Sequence, residues 1–186
     1  LDTRAGAHRG EGPASSCEWA VSASASIAVH LAARGYAVRL VDADGTVLRA
    51  SGTAAEALSG AEARGPLLDT FATVGFTSGE TQGLRDPAVR ARVRDGLVVA
   101  VLGDLDLDAA EQIASLRGGH ASALALVLDT SGWATRSTTP EDGRCTRVAA
   151  LLAAAGWRVA VCGAQTDLVE AWQSLARAGV TAAGAR

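Results

Sequence analysis

The chain has 186 residues, 20 acidic and 17 basic side chains, a formal net charge of -3 and 48% hydrophobic residues. This is the length of one ordinary domain with apolar residues enough for a full core, and without a basic balance nucleic acid is disfavoured as the main ligand. All 17 cationic side chains are Arg and none is Lys, which removes the Walker Lys, the Schiff-base Lys and the strand-end Lys of phospho-receivers, and with them P-loop hydrolysis, pyridoxal chemistry and receiver switching.

Taken in chain order, Leu1-Asp2 reads as the tail of a strand, followed by a Gly-rich loop that carries His8. A helix is expected over 16–34, with Ser15 or Ser16 as N-cap, Glu18 in its first turn and Gly35 as the glycine that ends it. Trp19, Ala23, Ile27 and Leu31 share one face, and the other faces are rich in Ala, so the helix should be largely buried. A strand over 37–41 leads into Asp42-Ala43-Asp44-Gly45, a hairpin signal that should return residues 46–50 as a short antiparallel edge. Between Ser51 and Asp95 periodicity is broken, with short helices expected over 66–74 and 87–94.

Three further strands are expected over 97–102, 123–128 and 158–162, each a continuous apolar run of the kind buried on both faces in parallel sheets. The acidic stretch Asp104–Asp108 lacks the Gly and distal Glu of a calcium loop and reads as an acid-rich helix start. Thr139-Pro140-Glu141-Asp142 predicts the start of a helix running through Val148, Leu151 and Leu152 to Gly156. A last helix should begin at a Thr166 cap, place Leu168, Trp172, Leu175 and Ala176 on one stripe and close at Gly179. Strands alternating with helices give an α/β class: three layers, a mostly parallel sheet and one antiparallel edge hairpin, in a single domain over 1–186.

The chemistry that can be read is mainly negative. There is no GxSxG elbow, no GxGxxG after a strand and no HExxH or clustered Cys/His set. His30 falls in the first helix and His120 in a helix-to-strand turn, which leaves His8 as the histidine near a strand end. Cys17, Cys145 and Cys162 form no CxxC pair and suggest reduced thiols in a cytosol, with Cys162 a small buried hydrophobe. No apolar stretch is long enough to cross a bilayer, and no signal peptide is expected ahead of the fold. The opening on Leu1 rather than Met suggests a piece of a longer protein. What remains are acids at strand ends, Asp2, Asp104 and Asp129, where open parallel sheets bind ligands. Each alone reads first as a turn or cap residue; Asp2 paired with Asp104 also suggests a hard-cation site.

Leu1-Asp2-Thr3-Arg4, Ser16-Cys17-Glu18-Trp19-Ala20-Val21-Ser22 and Gly35-Tyr36-Ala37-Val38-Arg39-Leu40-Val41, with Leu67-Leu68-Asp69-Thr70-Phe71-Ala72 and the segment from Trp157 to Trp172, resemble the bacterial family of unknown function numbered fifty-eight. Its C-terminal domain is von Willebrand factor A-like, a Rossmann-like fold. The resemblance implies strand order 3-2-1-4-5-6, a membrane-anchored parent with this domain on the cytoplasmic side, and a protein partner, a MoxR-type AAA+ ATPase in the assembly or maturation of a target. Relatives of that family hold a metal through Asp-x-Ser-x-Ser, a distant Thr and a late Asp. Here Asp2 and Asp104 match the two acids, Arg4 and Gly6 stand where the serines would be, and no Thr matches. The Arg4 guanidinium would occupy the cation's space, so the expectation is a degenerate site that takes magnesium weakly or not at all, within a binding rim of Thr3, Arg4, Asp129 and Ser131. The function expected is a non-enzymatic protein-interaction module. The alternatives are a divalent-metal-dependent hydrolase using the strand-end aspartates and a small-ligand or nucleotide binder.

Overall fold

The computed structural model describes residues 1–49, 57–77, 96–117, 122–133 and 143–183, with side chains described to Arg177. The helix expected over 87–94, His120 and the Thr139–Asp142 helix start lie outside the described residues.

Three parallel strands form the main sheet in the order β3-β4-β5: β3 Leu97–Leu102, β4 Ser122–Leu128 and β5 Arg158–Cys162. Leu97 pairs Ser122 at one end of the β3–β4 ladder and Leu128 pairs Cys162 at the far end of the β4–β5 ladder. β4 is the central strand of this sheet, and its alternation divides the core. Ala123, Ala125 and Val127 face a layer built from α3 (Leu107–Ala114) and α4 (Arg144–Ala154), with Ile113, Val148, Leu152 and Trp157. Leu124, Leu126 and Leu128 face α1 (Ser16–Ala33) and α5 (Leu168–Ala183), with Ala20, Ile27, Ala171 and Leu175. The result is a three-layer α/β arrangement compatible with a Rossmann-like fold.

The hairpin is a second, two-stranded antiparallel sheet of β1 (Leu40–Val41) and β2 (Val47–Leu48). Asp42 closes its turn, its Oδ1 accepting from the Asp44 and Thr46 amides at 2.9 and 2.8 Å. Here the expected single sheet is corrected to two. Among the described residues, only Leu1 and Asp2 occupy the track between β1 and β3: the Leu1 amine donates to the Val41 carbonyl at 2.9 Å and the Asp2 amide to the Val101 carbonyl at 2.9 Å. Two residues link the sheets without building a ladder. β1 is shorter than the expected 37–41, and Val38 is held by an isolated antiparallel bridge to Leu58.

Ser15 caps α1, accepting from the Glu18 amide at 3.2 Å, and Gly35 follows the helix at φ +86°. Ala-rich faces let α1 pack on the sheet and on α2 (Arg64–Ala72), through Ala25, Ala28 and Ala32 against Leu67 and Phe71. Asp106 caps α3, accepting from the Ala109 amide at 2.7 Å, so the acidic stretch is a helix start. α5 departs from expectation in three ways. Asp167 is the residue that receives the first-turn amides, from Val169 and Glu170 at 2.9 and 3.0 Å, while the Thr166 hydroxyl accepts from Gly163. The helix passes through Gly179 to Ala183, since an interior glycine costs only about 1 kcal/mol. Its buried stripe uses Ala171, whereas Ala176 is exposed. Among the described residues, no helix is long and apolar enough to cross a membrane.

Candidate functional site at the strand ends

Asp2 leaves the track beside β3 with only 4% of its surface exposed. Its carboxylate is filled by four donors. On Oδ1 it accepts from the Arg4 amide at 3.2 Å and Arg4 Nε at 3.0 Å; on Oδ2 it accepts from Arg4 Nη2 at 2.8 Å and the Gly103 amide at 3.1 Å. This is a bidentate guanidinium–carboxylate pair, the strong form of a salt bridge. Arg4 Nη2 also donates to the Asp104 carbonyl at 3.1 Å, so one guanidinium ties the end of the Leu1-Asp2 track to the turn that follows β3. Burial pulls the Arg4 pKa down, but the bond from Asp2 and the charges of Asp2, Asp106 and Asp104 more than offset it and leave it raised.

The 5–15 loop is pinned onto the same place. The Asp104 amide donates to the Ala7 carbonyl at 2.8 Å, and a Cβ on Gly103 would run into that carbonyl. Glycine is therefore a steric requirement of the crossing between loop and strand end. His8, buried beneath the loop, lies 2.9 Å through Nε2 from the Asp2 carbonyl and 3.2 Å through Nδ1 from Ser16 Oγ. A carbonyl only accepts, so in the neutral ring Nε2 carries the proton and Nδ1 receives the Ser16 hydroxyl. The pair has the hydrogen-bond order of a nucleophile and its base, but Ser16 has no exposed surface and its oxygen also accepts from the Arg9 amide at 2.9 Å. It is a clasp between loop and helix, with no room for a substrate.

Asp104 is arranged differently. Its carboxylate lies 3.5 Å from Arg9 Nη2 and 3.3 Å from Arg144 Nη1, with side-chain exposures of 27%, 40% and 31% for the three. Thr3 sits beside Thr77, their hydroxyls 3.3 Å apart, and the Thr77 amide donates to the Thr3 carbonyl at 2.8 Å. Asp129 is exposed and accepts from the amide and hydroxyl of Ser131 at 3.2 and 2.7 Å, which is turn chemistry. The structure thus brings Asp2, Thr3, Arg4 and Asp104 together and gives Asp129 and Ser131 to each other. Arg9, Arg144 and Thr77 join the site without having been singled out for it, and His8 joins it as the histidine expected near a strand end. Arg9 and Arg144 are 95 and 40 residues from Asp104 and Thr77 is 74 from Thr3, so no local spacing signals them.

The residues present do not fit a divalent cation. Such an ion needs carboxylate lone pairs, and those of Asp2 point at four N–H donors, three of them on Arg4 itself. Among the described residues, no group of three or more His, Cys, Asp or Glu is gathered to hold a metal. The three thiols are all held toward the protonated form. Burial and then the charge of Asp129 and Asp104 push Cys145 up to about 11, and burial and then Cys145 push Cys162 up to about 11. Cys17 is also raised, by burial first and then Glu18 and Asp2, although it opens a helix. Compared with known proteins, the chain matches no protein-family profile, no curated protein and no solved structure.

Proposed function

We propose that this domain is a non-enzymatic protein-interaction module of the von Willebrand factor A type, which binds its partner through the strand-end rim around Asp104. The observation that carries the reading is the Arg4 guanidinium seated on Asp2 and on the Asp104 carbonyl, where a cation-dependent relative would place its ion. With Asp2 neutralised and enclosed, the rim offers two partly exposed arginines and one partly exposed carboxylate. Exposed apolar side chains flank it: Phe76, whose ring lies 6.4 Å from that of His8, and Leu107 at the start of α3. Charged groups around isolated apolar anchors are the composition of a partner surface, with Arg and aromatic residues its usual hot spots.

Following the family resemblance, the partner is a MoxR-type AAA+ ATPase, and the domain acts on the cytoplasmic side of a membrane. Crosslinking the purified chain with the ATPase from the same host tests this. Capture of the ATPase, lowered at least about tenfold by Asp104→Arg, is expected, since a like charge placed at an interface disfavours association. No capture under crosslinking, or capture indifferent to Asp104→Arg and Phe76→Ala alike, contradicts the reading. Turnover of a phosphate ester with magnesium or manganese, lost on Asp2→Asn, would replace it with a metal-dependent hydrolase.

A further inference from the structure

Beside the strand-end rim, α1, α2 and the segment from Val74 to Phe76 enclose a pocket of about 290 Å³. Val21, Phe71, Val74 and Phe76 give it apolar walls, and Glu18 and Ser22 stand on its α1 side. These walls are fixed by contacts within the chain. Phe71 packs in the α1–α2 core with Ala25 and Leu67, and the Val74 amide donates to the Phe71 carbonyl at 3.3 Å. Thr77, directly after Phe76, donates its amide to the Thr3 carbonyl at 2.8 Å and accepts from the Ala5 amide at 3.1 Å. Phe76 is nonetheless 62% exposed, with the His8 ring 6.4 Å from its own.

The charge of the pocket is one-sided. Among the described residues its lining holds two acids, Asp2 and Glu18, and no Arg or His. Asp2 is already matched by Arg4. Glu18 is exposed, and among the described residues its carboxylate takes no hydrogen bond or ion pair, only its amide being engaged, by the Ser15 cap. α2 ends here too, at Ala72, and a helix C-terminus carries partial negative charge. Cys17, on the same wall, registers this field: after burial, the charges of Glu18 and Asp2 raise its thiol.

We propose that this pocket seats an arginine side chain of the protein partner, its stem between Val21 and Phe71, its guanidinium paired with the Glu18 carboxylate and stacked on the Phe76 ring. Arginine fits better than lysine, because its planar head takes both carboxylate oxygens and lies flat on an aromatic face. An acidic side chain would meet Glu18 and the α2 C-terminus as like charges, and a purely apolar one would leave Glu18 unmatched at a desolvated contact. On the reading of the neighbouring rim as a partner surface, on which this assignment rests, the partner brings a basic segment to it.

Titrating blocked Gly-Arg-Gly into the isotope-labelled chain, followed by amide chemical shifts, tests the pocket without the partner. The comparisons are the same peptide with citrulline, the neutral isostere, and with lysine. The arginine peptide should move the amides of residues 17–22 and 74–76 and saturate at concentrations on the order of millimolar. The citrulline peptide should bind at least about tenfold more weakly for want of a charge-assisted pair, and the lysine peptide about two- to fivefold more weakly for want of stacking. Glu18→Gln should bring arginine down to the citrulline level, and Phe76→Ala should weaken it about two- to fivefold. Both variants should melt within about 3 °C of the unaltered chain. Equal binding of arginine and citrulline by the unaltered chain overturns the assignment, and needs no variant to fold. So does arginine binding indifferent to Glu18→Gln, or lysine binding as tight as arginine. Crosslinked ATPase capture that is lost on Asp104→Arg but indifferent to Glu18→Gln overturns the arginine pocket and keeps the interaction module. Arginine-selective shifts without ATPase capture support the pocket and overturn the named partner.

Discussion

Asp2 and Asp104 sit at neighbouring strand ends and share contact with one arginine, yet they are held in opposite ways. Asp2 is enclosed and accepts four hydrogen bonds, two from a bidentate guanidinium. Asp104 is about a quarter exposed, and its two arginines stand at 3.3 and 3.5 Å, beyond good hydrogen-bond length. A buried ion pair is costly to break because the surviving partner stays buried and uncompensated, whereas a solvated pair gains about 0–1 kcal/mol. The Asp2–Arg4 pair holds the sheet end together, and on the proposed reading the Asp104 cluster exchanges its arginines for a partner.

The largest effect should follow breaking the buried pair. Arg4→Met leaves Asp2 enclosed without its counter-charge and should cost about 3–5 kcal/mol in denaturant unfolding. The double variant Asp2→Asn with Arg4→Met should recover much of that loss; a double variant as unstable as the single one would mean that packing, not charge, governs the site. Gly103→Ala comes next. A Cβ there meets the Ala7 carbonyl, so the loop must shift, at about 1–3 kcal/mol by thermal unfolding. Arg144→Ala and Arg9→Ala should each change stability by less than about 1 kcal/mol while weakening partner capture. A stability loss comparable to that of Arg4→Met would erase the distinction between the two aspartates.

The smallest effect concerns the thiols. Cys145 should react slowly with iodoacetamide at pH 8 and speed up only as pH approaches about 11, because the protonated thiol is favoured in the folded protein. In the unfolded chain the rise should come near 9. The folded form is therefore favoured below pH 9, and that contribution is lost as pH climbs toward 11. Fast labelling of the folded protein at pH 8 would mean an electropositive site that the present geometry lacks.

How much of this was legible depends on how far apart the partners lie in the chain. β3 and β5 were read at their observed bounds and β4 within one residue, because runs such as Leu97-Val98-Val99-Ala100-Val101-Leu102 are apolar on both faces. The meeting of Arg4 and Asp2 was foreseeable at two residues' separation, as was the Asp42 hairpin. The orientation of Asp104 was not, since it depends on Arg9 and Arg144 from distant segments. The division of the sheet was also illegible: strand propensity is local, and a ladder needs a neighbour across the Leu1-Asp2 track. At α5, Thr166 and Asp167 are both competent caps, and the Gly163 turn takes Thr166. Asp129 resolved to the bland reading, a turn closed on Ser131.

The central claim is that a guanidinium takes the place of a cation between the two strand ends. It is tested most directly by titrating magnesium, calorimetrically, into the chain and into its Arg4→Ser variant. No binding heat at millimolar magnesium for the chain, with binding that depends on Asp2 appearing once Arg4 is replaced, is the predicted result. Magnesium binding by the unaltered chain that disappears on Asp2→Asn would contradict it.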